Sequence, residues 1–517
     1  MAFRRDRPGA RLSAFGLVAA LAAYGSFVAR HASHAVGGSD SSGYANTARR
    51  LVSGGLVARP PSLDRLGLPD SLAPIFTPLG FLAGPRPGTM APLYPAGFPA
   101  HLAAAAVASG WETGPYLVSP TAAVLCLAFV YLIGRELDLS PAWSAGAAAV
   151  LGAWPAFLFQ AIQPMSDVVA TLWTTAAIFF AVRARRRAAW AVACGAALGV
   201  AVLVRPTNLL LAVPLAFALP LTLPVLGRVA LGALPPAAAQ AAFARYCYGG
   251  ILSTGYGKTG HLDVIALSNF PVRLRYYGDW ILRTTTVIVP FAALASLADR
   301  RTPVRDRFLL LAWFGVFLLF YCFYGPYESF GFLRFLLPGL PGLLLAAALG
   351  LRGALARLPA PRLAAALALA ALAAIAAVEI RQTRRIGVLG TAEAQASYPL
   401  ACRRAAATLP ARSVVVATDA SGALAYYTDL SCARWDPIAP ERWPALRGEI
   451  EGRGYRFYAL LFPEEEKELA AHVPGDWRKI DTVREVGLWE LPPLPREVTG
   501  REGRGGPPSL PRPARRP

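Results

Sequence analysis

The sequence predicts an all-α polytopic membrane protein of about 11 transmembrane helices, with interfacial helices in the first outer loop and a small C-terminal α/β extracytoplasmic domain. Three observations predict it. Hydrophobic residues make up 55% of the 517-residue chain and the mean hydropathy is +0.42, so a soluble fold would need nearly every helix buried on all sides. The runs 114–134, 141–158, 188–204, 308–323, 335–351 and 363–380 are almost uncharged and, at about 17 to 21 residues, long enough to cross hydrocarbon. The arginines between the runs fall on one side in alternation, as the positive-inside rule requires.

The first run, 13–30, has no small-residue cleavage site before Arg30 and reads as a retained span. With Arg4, Arg5, Arg7 and Arg11 cytoplasmic, 183–187, Arg228, 299–307 and 352–362 are cytoplasmic too. The outer face then receives 31–112, the turn 163–167, the loop 246–279, the turn 325–334 and everything after Glu379. The stretch 94–109 is expected as an interfacial or re-entrant helix, because another full span would put Arg183 to Arg187 outside. Residues 1–380 thus form the transmembrane domain, set in a plasma membrane. In 381–491 the pattern changes to strands near 414–417, 455–462 and 486–491 and helices near 440–453 and 464–472. Residues 492–517, rich in Pro, Gly and Arg, are expected to be disordered. The net charge of +20 and pI near 10.2 point toward nucleic acid, but the basic residues lie mainly in cytoplasmic turns and the tail, so no nucleic-acid partner is expected.

The chemistry concentrates in the outer loops. After the first span comes Gly37-Gly38-Ser39-Asp40-Ser41-Ser42-Gly43-Tyr44, leading into a short surface helix. Asp40 or Ser39 serves as a helix cap on the bland reading; a carboxylate there is also placed to take a proton from a bound hydroxyl, with Gly37, Gly38 and Gly43 leaving room for a sugar. Asp167, in Gln163-Pro164-Met165-Ser166-Asp167, suits a helix N-terminus, yet an acid at membrane depth implies a partner or a metal. Arg205 and Arg334 are fused to apolar runs on the outer side, where snorkelling competes with phosphate binding. Glu328 is a candidate partner for Arg334. The Gly-rich stretch 253–261 lacks the first glycine and the preceding strand of a P-loop, but its Lys258 and His261, with Arg273 and Arg275 nearby, are placed to close over a lipid phosphate or to form a merely solvated loop. No His or Cys spacing marks a metal site. Cys402 and Cys432, both in the outer domain, are expected to form a disulfide.

The order and sidedness of Ser39-Asp40-Ser41-Ser42-Gly43-Tyr44, of Pro92-Leu93-Tyr94-Pro95-Ala96-Gly97-Phe98-Pro99, of Met165-Ser166-Asp167, of Arg205-Pro206 and of Arg334-Phe335-Leu336-Leu337-Pro338 resemble the C-superfamily integral-membrane glycosyltransferases. The likeness runs from 13 to about 380 and is nearest to the family 39 protein mannosyltransferases and aminoarabinose transferases. The resemblance implies a glycosyltransferase of the cell envelope that takes a hexosyl or pentosyl group from a polyprenyl-phosphate donor among the membrane lipids. The acceptor is a glycan, lipid or protein on the outer face, and transfer proceeds with inversion. Asp40 takes the place of the catalytic base and Asp167 joins it. Arg205, Arg334, Lys258, Arg273 and Arg275 would hold the donor phosphate, and Tyr44, Tyr94, His261 and Glu328 would contact substrate. A divalent metal ion is left open as a cofactor. Ser41 departs from the Asp-Glu pair common in protein mannosyltransferases, which weakens the implication of a protein acceptor. Two other classes compete: a transporter or flippase of lipid-linked sugars, which should place ionisable groups near the middle of its spans, and an assembly protein whose outer domain binds partners.

Overall fold

In a computed structural model, residues 8–256, 264–325 and 329–494 are described. The protein is mostly helical, with a small sheet region near its C-terminus. Four described helices are long and apolar enough to cross a membrane: Gly114–Glu136, Ser166–Ala184, Phe330–Leu355 and Pro361–Ile386. Two bent pairs raise the number to six if each is one span, and Phe15–Arg30, Gly97–Ser109, Trp190–Val204 and Pro206–Ala218 are shorter apolar helices. The chain is therefore a multi-pass membrane protein.

The predicted runs survive with physical interruptions. The run 141–158 breaks between Ala153 and Pro155 with a 68° bend, because Pro155 has no N–H to continue the ladder; the Trp154 indole at the bend donates to Thr284 Oγ1 (2.8 Å). The run 335–351 begins as a 3₁₀ segment, Phe330–Gly339, before it becomes the Leu340–Leu355 helix. Helices Trp190–Val204 and Leu223–Tyr248 approach closely over glycine: a Cβ on Gly195 would strike the Val229 carbonyl, and one on Gly232 the Val192 carbonyl. Gly97–Ser109 is helical, as expected for the stretch after Tyr94.

The first long loop, 31–112, is folded. It contains the Gly38–Ser53 helix, short turns of helix at Pro61–Leu66 and Ala73–Phe76, and a hairpin of β1 (Phe81–Ala83) and β2 (Met90–Pro92). The C-terminal sheet has β3 (Ser413–Val416), β4 (Ser431–Ala433), β5 (Arg456–Leu461), β6 (Arg478–Val483) and β7 (Val486–Glu490) in the order β4-β3-β5-β7-β6. Its β4-β3-β5 part is parallel and its β5-β7-β6 part antiparallel. One face of this sheet shares its core with the first loop: Leu63, Leu66, Ile75 and Phe76 pack with Val414, Val416, Phe457 and Trp443.

Cys402 and Cys432 are not bridged; both thiols are free and buried in the apolar layer between the Ser397–Thr408 helix and the sheet. Burial holds them protonated, pushing the Cys432 thiol up to about 12. They act as small packing groups.

Candidate active site

Asp40 lies in the first turn of the Gly38–Ser53 helix, but neither it nor Ser39 caps it. The N-cap is Gly37, and its N–H is satisfied by Ser41 Oγ (3.1 Å). The Asp40 carboxylate turns inward instead. The Tyr94 hydroxyl donates to Oδ1 (2.6 Å), and the Arg334 guanidinium donates to Oδ2 (2.6 Å). Ser39 Oγ shares a 2.9 Å hydrogen bond with the Tyr94 hydroxyl. Burial pushes the Asp40 carboxyl up, but Arg334 and the Tyr94 hydroxyl outweigh it and hold the group below the usual carboxylate value.

A second acid–arginine pair lies beside the first. Asp167, in the first turn of Ser166–Ala184, is fully buried and faces Arg205 at 2.9 Å. Among the described residues its carboxylate oxygens accept no well-aligned hydrogen bond. Ser166 ties the pairs together: its hydroxyl accepts from Arg205 Nε (3.3 Å) and shares a 3.0 Å hydrogen bond with the Tyr44 hydroxyl. Tyr44 packs against the Tyr94 ring at 4.7 Å between centroids. The Phe335 ring sits between the two guanidiniums, 5.8 Å from Arg205 and 5.6 Å from Arg334, and stacks on Tyr321 at 4.7 Å. Arg205 and Arg334 are therefore not snorkelling; their side chains are 15% and 18% exposed and engaged with carboxylates.

Six of the sequence candidates thus converge: Asp40, Asp167, Arg205, Arg334, Tyr44 and Tyr94. Others do not. Arg275 is exposed and faces Asp279 of its own helix at 4.0 Å, and Arg273 is buried in the Asn269–Thr285 helix, whose register places it beside Tyr276. Lys258, His261 and Glu328 lie outside the described residues. The room expected around the helix start is filled. A Cβ at Gly37 would meet the Tyr398 ring, and one at Gly43 would lie 2.6 Å from the Tyr94 ring and 2.7 Å from Gly80 Cα. These glycines admit protein, not sugar. As for a metal, no group of three or more His, Cys, Asp or Glu among the described residues is placed to hold one, and the Asp167 carboxylate faces a guanidinium.

Sequence reasoning missed Ser166, Tyr256, Tyr321 and Phe335. Ser166 precedes an acid at a helix start, which offers a signal. Tyr256, whose hydroxyl feels the charges of Arg205 and Asp40, has only its neighbouring glycines to mark it; Gly255 lets this loop lie against the Leu93 backbone. Tyr321 and Phe335 look like span residues.

No protein-family model matches the chain, and no curated sequence matches it. Solved structures do. ArnT from Cupriavidus metallidurans in the apo state superposes with a TM-score of 0.58 at 15% identity, over 92% of this chain and 98% of that one. The chain shares the fold of ArnT. The same protein bound to undecaprenyl phosphate gives 0.56 at 14% identity over the same shares. The oligosaccharyltransferase AglB from Archaeoglobus fulgidus, in complex with an inhibitory peptide and a dolichol-phosphate, gives 0.50 at 13% identity, over 89% of this chain and 71% of that one. ArnT and AglB are C-superfamily integral-membrane glycosyltransferases, so the resemblance read from the motifs extends to the fold.

Proposed function

We propose that this protein is a glycosyltransferase that moves a sugar from a polyprenyl-phosphate donor to an acceptor on the outer face of the plasma membrane, with inversion and with Asp40 as general base. The observation that carries the proposal is the linked array Asp40–Arg334 and Asp167–Arg205, in a chain with the ArnT fold. Ion pairs this buried contribute little net stability, because desolvation offsets their attraction, so two of them joined at helix ends argue for chemistry. Undecaprenyl phosphate bound to ArnT and dolichol phosphate bound to AglB support the donor class.

The acceptor oxygen forms a bond to the anomeric carbon while the bond from that carbon to the phosphate oxygen breaks. Its electron pair leaves with polyprenyl phosphate, and the acceptor proton passes to Asp40. A carboxylate locked to Arg334 is a weak base. A donor phosphate drawing that guanidinium toward itself frees Asp40 as the leaving group's charge is met. The buried Asp167 oxygens, without aligned donors of their own, suit a sugar hydroxyl. Arg205 holds Asp167 and shares in the phosphate charge.

The test is purified protein given polyprenyl-phosphate sugars, with free polyprenyl phosphate quantified by mass spectrometry. Acceptor-dependent release supports transfer. Binding and translocation of the donor without any release would instead support a flippase.

A further inference from the structure

A cavity of about 750 Å³ opens between helices Pro141–Ala153, Ile288–Ala295, Leu340–Leu355 and Pro361–Ile386. It is remote from the candidate active site. Arg334 and Arg352 lie toward opposite ends of the single span Phe330–Leu355, and the cavity belongs to the Arg352 end. Its walls are small and aliphatic, with Ala147, Val289, Ala348 and Leu372 among them. At one end the lining becomes basic, with Arg301 and Arg352.

The two arginines differ. Arg352 is fixed: it donates to Asp299 Oδ2 and to Thr302 Oγ1, both at 2.7 Å, and to the Asp138 carbonyl at 3.1 Å. Its Nε–H is buried without a partner among the described residues. Arg301 is exposed and makes no ion pair among the described residues. Arg300, Arg357 and Arg362 flank these positions in sequence, and Arg357 donates to the Ala298 carbonyl in the same loop (2.9 Å). Positive charge at this end therefore exceeds what Asp299 neutralises.

In a membrane, an apolar slot between helices is filled by hydrocarbon, and a basic pocket between helices at the membrane surface selects an anionic headgroup. We propose that this cavity is a binding site for an anionic phospholipid of the leaflet opposite the active site. One acyl chain would lie along the Ala147–Ala348–Leu372 walls, and the phosphate would accept from Arg301 and from the spare N–H of Arg352. The lipid would fill the gap beside Pro361–Ile386, the least buried of the four long apolar helices, at 11%.

The test is native mass spectrometry of detergent-purified protein titrated with phosphatidylglycerol or with phosphatidylcholine of the same acyl chains. Wild type is expected to retain phosphatidylglycerol in preference. Arg301→Gln, at an exposed position, should keep the lipid-free melting temperature while its retention of phosphatidylglycerol falls about tenfold, the usual effect of losing one charge-assisted contact. Ala348→Trp, which fills the slot, should lose the lipid as well. Equal retention of both lipids, retention of neither, or an Arg301→Gln variant that binds as wild type would overturn the proposal.

Discussion

At the scale of single residues, Asp40 and Arg334 are each other's reason for being stable where they are. Arg334→Ala, which the sequence alone would treat as removal of a phosphate contact with the fold intact, leaves a carboxylate uncompensated. Breaking a buried pair from one side typically destabilises by about 3–5 kcal/mol; the Asp40 side chain is 26% exposed, so the lower end applies. Adding Asp40→Asn to Arg334→Ala should recover part of that loss, and a double-mutant cycle in thermal unfolding measures it. A purely additive cycle would show that the pair does not act as one. The depressed Asp40 carboxyl gives a pH signature. Its stabilisation is complete above the ordinary carboxylate value of about 3.9 and is lost as the pH falls through the lower folded value. The melting temperature of wild type should therefore drop more steeply below about pH 4 than that of Asp40→Asn; parallel curves would contradict the geometry. Asp40, Asp167, Arg205 and Arg334 were legible because charge at the end of an apolar run needs explaining. Their pairing was not, since it joins residues 294 positions apart in one case, and Ser166 carries no charge to announce itself.

At the scale of elements, the apolar runs were legible and their breaks were not. Hydropathy integrates over a window, so it sees 141–158 as one run and passes over the bend that Pro155 imposes. The edge strand β6, whose Arg478, Lys479 and Ile480 are exposed, lacks the continuous apolar run that marked β3 and β5. β4 is only three residues long. Close packing of Trp190–Val204 on Leu223–Tyr248 rests on Gly195 and Gly232, at positions where only the absence of a side chain matters. Gly195→Leu should separate the helices and lower the melting temperature markedly. It should also loosen Arg205, which follows directly on the first of them, so donor affinity should weaken with stability. A Gly195→Leu protein as stable as wild type would show that the helices do not meet there. Gly43→Ala is the smaller test of the same kind, since a methyl group there presses on Tyr94 and Gly80.

At the scale of the whole molecule, the C-terminal sheet region covers the site helix. Asn46 Nδ2 donates to the Gly422 carbonyl (2.9 Å), the Arg49 guanidinium lies 3.5 Å from the Tyr426 ring centre, and the Tyr427 hydroxyl accepts from Val36 N–H (2.7 Å). Composition sets 381–491 apart from the apolar runs, though the Pro361–Ile386 helix carries on past that bound; it could not reveal that residues 63–76 complete the core of the C-terminal sheet, because the two segments are joined only by folding. Deleting 391–517 should therefore expose Leu63, Leu66 and Phe76 and leave the first loop open to protease. An intact, protected loop in the truncated protein would show that the two fold separately. Sidedness is a reading of arginine placement: reporters fused after Arg186 and after Ala417 should read cytoplasm and exterior, and a shared side would overturn the eleven-span topology.

In the proposed reaction Asp40 takes the acceptor proton. Asp40→Asn preserves the shape and still accepts from Tyr94, while removing the negative charge that receives the proton. The decisive measurement is the rate of sugar transfer from a polyprenyl-phosphate donor by folded Asp40→Asn protein whose donor binding has been confirmed. A fall of about 100-fold or more is predicted; near-normal transfer would contradict the assignment and move the base to Asp167.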